Sequence, residues 1–377
     1  MFGRLAATAA APAAPSAARW PAAAARCSAV VFLGAAPVCL FVFLVATLRH
    51  HPSDFTTFWD SGRAVLHGRS PYPSPQSLPA HPDPKTFAPF VYPPVAAVAM
   101  VPLSLLPFGV AIVVFLLVDL AAVALALRLL GVTDWRCYGA AFCSAPVFAS
   151  AGLGAISPLL LLGVAAAWRY RDHAVRAGLL VAYVATAKLF LWPVWLWLVR
   201  TRRFAAAAVA AGAAVAGVLG AWAAIGFAGL HDYPALLGRL TRLVGPESYS
   251  PYALGRSLGL GGTTAQSAAY LAGAAAIAAA AWRLSGDRRL LTAALAVSLL
   301  MTPILWPHYL VVLYVPIALA RRRFSLLWLA PLAFWVDVSG WTSGSTARIA
   351  ALLVLTAATI GMALQLQSGG DALPVEQ

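Results

Sequence analysis

The chain has 377 residues, of which 62% are hydrophobic and only 10% charged, with a mean hydropathy of +0.82. So few charges cannot cover a water-exposed surface, which excludes a soluble globular domain and identifies an integral membrane protein. The net charge of +14 therefore implies no nucleic-acid partner and is read loop by loop as orientation information.

Residues 1–27 are alanine-rich, interrupted by Pro12, Pro15 and Pro21, and are expected to be a disordered or membrane-surface segment. Ser28 to Leu48 is apolar over about 20 residues, enough to span a bilayer, and is read as an uncleaved signal anchor because a cleaved signal has a shorter core. A polar, proline-rich island from Pro52 to Pro94 follows, within a first loop at 49–94 that is expected to hold short interfacial helices. The apolar Pro93 to Pro107 is interrupted by Pro102 and predicts a short interfacial or re-entrant segment. Apolar runs then appear at Phe108–Leu130, Arg136–Ala151, Ile156–Trp168, Val175–Ala187, Leu189–Val199 and Phe204–Phe227. A second polar loop at 228–262 precedes runs at Thr264–Trp282, Leu290–Met301, His308–Ala320, Phe324–Val336 and Ala347–Gln365, with a tail at 367–377. The expected fold class is all-α, a polytopic transmembrane helix bundle of about 10–12 spans, because several runs are too short to cross unless neighbours bury them. Residues 28–366 form one integral membrane domain in this reading. Cys27, Cys39, Cys137 and Cys143 lie in or beside apolar runs without metal-ligand or disulfide spacing.

Orientation follows from Lys and Arg. With the N-terminus cytoplasmic and every run crossing, 17 of the 26 fall on the cytoplasmic side: Arg4, Arg19, Arg26, Arg128, Arg136, Arg169, Arg171, Arg176 and the groups at 200–203, 283–289 and 321–323. Both termini are then cytoplasmic. The island, Gly154–Ser157, Lys188, the second polar loop and the turn before His308 are expected together on the opposite face.

Several polar groups on that face each admit two readings. Asp54 follows an apolar run and sits beside Phe55, Phe58 and Trp59; a carboxylate near the membrane surface is either a functional group or part of an ordinary interfacial loop with its aromatic belt. Lys188 interrupts an apolar stretch and either points its ammonium at an anion or snorkels to the interface. His308, after Pro303 and Pro307, either contacts a phosphate or carboxylate or is a polar anchor. Arg63, Arg69 and Arg256 suit bidentate phosphate binding or simple solvation. Asp119 lies within an apolar run with no partner visible in the sequence and carries no assigned chemistry.

Asp54-Phe55, then Gly62-Arg63-Ala64-Val65-Leu66-His67-Gly68, Pro71-Tyr72, Tyr92-Pro93-Pro94, Pro102-Leu103 and finally Trp306-Pro307-His308-Tyr309 together resemble glycosyltransferase family 87. These are the polyprenyl-phosphate-mannose-dependent α-1,2-mannosyltransferases of actinobacterial envelopes, within the membrane glycosyltransferase superfamily C. The resemblance runs from about residue 53 to 320. It implies a GT-C-like bundle, a polyprenyl-phosphate sugar donor, a glycolipid or polysaccharide acceptor at the non-cytoplasmic face, and Asp54 at the position of the catalytic base. It places His308 at an active-site histidine and Lys188 at a lysine beside a helix break. The chain departs from the family pattern at Gly154-Ala155-Ile156-Ser157, at Lys188-Leu189 and at Tyr249-Ser250-Pro251.

The chemistry agrees with the residues. A polyprenyl phosphate is already a good leaving group, so transfer needs a carboxylate to take the acceptor proton and cations to hold the departing phosphate. Asp54 and His308 are the candidate catalytic residues, and Lys188, Arg63 and Arg256 the candidate phosphate contacts. Phe55, Trp59, Tyr92, Trp306 and Tyr309 are expected to line the substrate site. No paired-aspartate motif or metal-ligand cluster is visible, so no metal and no other cofactor is expected. The chain is expected to act as a monomer among membrane lipids. A transporter or flippase of lipid-linked sugars is the competing class, since many spans and broken helices suit it equally. The absence of an internal repeat and the collection of polar groups on one face count against it.

Overall fold

The computed structural model describes residues 36–47, 53–80, 82, 87–337 and 344–370, and every regular element among them is helical. The chain is an all-α membrane bundle. The 1–27 segment and residues 28–35 and 48 of the expected signal anchor lie outside the described residues; the anchor's described part is helix α1, Ala36–Thr47.

The island opens with helix α2, Ser53–Leu66, which carries Asp54 in its first turn, where the exposed backbone N–H groups favour a negative charge. The chain returns as helix α3, Pro94–Ser104, with prolines at its start and one inside at Pro102. The two helices pack closely. Ser104 Oγ donates to Trp59 O at 2.9 Å, and Gly62 lies against Ser104 and Met100 with no room for a side chain. Helix α4, Phe108–Leu129, runs for 22 residues.

The run predicted over Arg136–Ala151 is instead two short helices, α5 (Trp135–Phe142) and α6 (Ala145–Leu153). Ser144 separates them, its hydroxyl bonding back to Ala141 O at 2.7 Å, and Pro146 opens the second. Helices α7 (Ser157–Arg169) and α8 (Ala174–Ala187) follow. A short 3₁₀ turn at Leu189–Leu191 leads to α9 (Pro193–Arg200) and then to α10 (Phe204–Ala224). The second polar loop holds two helices, α11 (Tyr233–Val244) and α12 (Pro251–Ser257). Helices α13 (Gly262–Arg283) and α14 (Asp287–Met301) come next. The last apolar runs are tighter than expected: Pro307–Leu313 is 3₁₀ before α15 (Tyr314–Ala320), and Leu326–Asp337 is 3₁₀ around Pro331.

The final helix, α16, spans Thr346–Gly370. It absorbs Gln367, which the sequence placed in the tail. The buried amide of Gln367 donates to Thr292 Oγ1 at 3.0 Å and to Pro316 O at 3.3 Å, so it has partners that an apolar interior requires. Among the described residues, Phe108–Leu129, Phe204–Ala224 and Thr346–Ser368 are each long and apolar enough to cross a bilayer alone, and several further apolar helices run only 10–17 residues.

Two ends of the bundle are built differently. At one, Asp287 accepts from Arg203 Nη1 at 2.8 Å and from Trp197 Nε1 at 2.7 Å, with Arg171 Nε 3.0 Å away, tying the loops before α8, α10 and α14 together. Asp134 likewise caps α5, pairs with Arg136 at 2.8 Å and accepts from Phe324 N. The arginine hydrogen bonds pull its carboxyl down to about 2. The other end holds a large cavity.

Candidate active site

The cavity has a volume of ≈ 1010 Å³, at the upper end of small-molecule sites and large enough for more than one sugar. Its walls come from the start of α2, the 87–93 segment, the α8–α9 break, α11, and residues 301–309. These are the polar segments that the sequence scatters over most of its length, gathered at one place.

Asp54 reaches this wall because α2 is anchored on both sides. Thr57 Oγ1 donates to Ala88 O, and Phe58 packs on Tyr92 with ring centroids 4.6 Å apart. Beneath the Asp54 turn, Gly154 ends α6 in the left-handed conformation (φ 63°), and a side chain there would meet Phe55 Cβ at 2.5 Å. The Gly154–Ser157 segment therefore supports the start of α2. Phe55 is fully buried against Phe108 and Phe115, and Trp59 packs on Phe108 and donates to Leu106 O. Both expected substrate-lining residues thus hold α2 in place and lie outside the cavity wall.

His308 Nε2 stands 4.0 Å from Asp54 Oδ2, beyond hydrogen-bond range but close enough for one small group to bridge them. The His308 side chain is 4% exposed and that of Asp54 17%. Neither ring nitrogen of His308 has a hydrogen-bond partner, and His308 O is held by Ser150 Oγ at 3.4 Å. The second polar loop braces the same stretch: Tyr249 N donates to Leu305 O at 2.8 Å and Ser250 Oγ to Pro303 O at 2.8 Å, while Ser250 also caps α12. The departure at Tyr249-Ser250-Pro251 is thus a buttress for the Trp306-Pro307-His308 turn.

Lys188 sits at the break after α8 with an extended backbone (φ −150°, ψ 110°). Its ammonium is 3.6 Å from the centre of the Tyr309 ring and 5.2 Å from that of Tyr92, and Nζ has no hydrogen-bond partner although the residue is only 6% exposed. Phe190 stacks on Tyr309 at 5.0 Å. Burial raises the pKa of Asp54 above the ordinary carboxylate range, and the positive charge of Lys188 opposes that rise.

Asp54, Lys188, His308, Tyr92, Trp306 and Tyr309 thus meet in one cavity. Arg63 and Arg256 do not. Arg63 is exposed and stacks its guanidinium 4.8 Å over Trp59, and Arg256 is exposed and donates to Leu260 O at 2.7 Å. Sequence reasoning missed Phe190, Trp192, Thr241, Gln266 and Tyr270 on the cavity wall; the four-residue spacing of Gln266 and Tyr270, whose side chains bond at 3.1 Å, was the available signal. Asp119 is buried elsewhere with both oxygens unpartnered. Among the described residues no group of three or more His, Cys, Asp or Glu side chains is placed to hold a metal ion, and Cys39, Cys137 and Cys143 are free thiols.

The profile of glycosyltransferase family 87 matches residues 90–307, more than half of the chain. This protein belongs to that family. The family match takes in Tyr92, Lys188 and Trp306 and stops one residue before His308, while Asp54 precedes it. Among curated proteins, the chain is 30% identical over 268 residues to a polyprenol-phosphate-mannose-dependent alpha-(1-2)-phosphatidylinositol pentamannoside mannosyltransferase of Mycolicibacterium smegmatis, covering 66% of this chain and 61% of that one. It is 31% identical over 272 residues to the protein of the same description from Mycobacterium tuberculosis, covering 66% and 58%. This family 87 chain therefore spans about three fifths of the length of those relatives. No solved structure matches it.

Proposed function

We propose that this chain is a membrane glycosyltransferase that moves a hexose, mannose, from a polyprenyl-phosphate donor to a hydroxyl of a lipid-linked or cell-envelope glycan. The reaction takes place at the non-cytoplasmic face, with both termini cytoplasmic and the spans crossing several times. The observation that carries the reading is the convergence of Asp54, His308 and Lys188 on one cavity wall. Family membership and the donor in the relatives' names support the sugar and its carrier.

In this mechanism Asp54 takes the proton of the acceptor hydroxyl as its oxygen attacks the anomeric carbon. The bond from that carbon to the phosphate oxygen breaks, the configuration inverts, and the electron pair leaves with the polyprenyl phosphate. Lys188 faces the charge that develops on the leaving phosphate. His308, 4.0 Å from Asp54, holds the acceptor oxygen or the carboxylate in line. A carboxylate whose pKa is raised by burial is a stronger base than a solvated one and stays ionised near neutral pH beside a lysine.

Asp54→Asn keeps the shape and removes the base. Transfer from radiolabelled polyprenol-phosphate-mannose to membrane glycolipid should fall by about 10² to 10⁴, with membrane expression unchanged. Wild-type transfer by the variant would eliminate the proposed base.

A further inference from the structure

The ammonium of Lys188 is buried, yet it rests on aromatic faces and has no oxygen acceptor. Burying a cation is costly unless something replaces its hydration. A carboxylate in direct contact would replace it but would also cancel the charge and occupy the N–H groups. Ring faces attract a cation through their quadrupole, carry no net charge and leave the donors directed elsewhere.

The geometry points to Tyr309 and Tyr92 as positioning residues that hold the Lys188 ammonium by cation–π contact, keeping its N–H groups available for the phosphate of a polyprenyl-phosphate ligand. This rests on the proposed donor site. Tyr309 contributes most, at 3.6 Å against 5.2 Å for Tyr92, and it is itself fixed by stacking on Phe190 and by edge contact with His308 at 4.7 Å. Tyr92 is fixed through Phe58 and through its carbonyl, which accepts from Tyr72 OH at 2.8 Å. The aromatic residue at 309 is thus an electrostatic seat for the lysine in addition to a wall.

The test reads binding of a sugar-free polyprenyl phosphate to the full chain in lipid nanodiscs, and the KM for polyprenol-phosphate-mannose alongside. Tyr309→Phe serves as the reference, and successive fluorination of that ring drains its quadrupole with little change of shape. A desolvated contact of this kind corresponds to about 30-fold in affinity. The proposal expects Kd and donor KM to rise stepwise with fluorination toward about that limit, with the acceptor KM flat. Tyr92→Phe fluorination should act in the same direction more weakly. A flat fluorination series beside a Lys188→Met variant that binds polyprenyl phosphate poorly would overturn the ring's role and leave the donor site standing. Unchanged binding in Lys188→Met would overturn the donor assignment itself.

Discussion

The Gly154→Ala substitution tests whether the site depends on the close approach of α6 to α2. Gly154 adopts φ 63°, and a Cβ there would lie 2.5 Å from Phe55 Cβ, 3.4 Å from Phe55 N and 3.5 Å from its Cα. The left-handed backbone costs about 1–2 kcal/mol for a residue with a side chain, and relieving an overlap in a packed core costs about 1–3 kcal/mol more. Phe55 has nowhere to retreat, because its ring is fully buried between Phe108 and Phe115. The strain, about 2–5 kcal/mol in all, is therefore relieved by shifting the first turn of α2, which carries Asp54. A displacement near 1 Å at a reacting group can cost about 10²-fold in rate. Thermal unfolding of purified protein in detergent should show a lower midpoint, and kcat should fall with donor KM little changed. A variant with the wild-type midpoint and a kcat within twofold of wild type would refute the claim that this contact sets the position of the proposed base.

Three further outcomes follow from particular contacts. As the proposed base Asp54 must be ionised, and burial raises its pKa while Lys188 opposes the rise, so kcat/KM should fall as pH drops through a value above the ordinary carboxylate range. Removing the cation in Lys188→Met should move that acid limb to higher pH, and a limb that stays or moves lower would contradict the coupling. Asp287→Ala should cost about 1–3 kcal/mol, measured as chemical or thermal unfolding, because two arginines and an indole N–H lose their shared acceptor at a partly exposed site. Donor KM should not change, since α8 puts about 21 Å between that network's end of the bundle and Lys188. Ser250→Ala removes the cap of α12 and the bond to Pro303 O; it should lower stability by about 0.5–2 kcal/mol and loosen the turn that carries His308, read as a kcat loss in the transfer assay.

The class of fold and the core of the site were legible in the sequence for different reasons. Charge scarcity dictates a membrane solvent, and the long apolar runs at Phe108 and Phe204 emerge as helices with nearly the expected ends. The polar interruptions Asp54, Lys188 and His308 stand out because each is costly in apolar surroundings, and they do meet at one cavity. What stayed hidden depends on tertiary packing. Nothing in Phe55 or Trp59 announces that they pack behind the site. Nothing in Arg63 or Arg256 tells a phosphate contact from an exposed guanidinium that finds a ring or a carbonyl nearby. Hydropathy likewise cannot see that Arg136–Ala151 breaks at Ser144, or that 3₁₀ turns replace α-helix around Pro331 and before Pro316.

The cavity wall draws Asp54, Lys188 and His308 from far-separated parts of the sequence, so its completion waits on most of the polypeptide. During synthesis the carboxylate is made early and the imidazole late. A partly inserted chain accordingly holds an unassembled centre, and the proposed reaction has to wait until the closing helices dock.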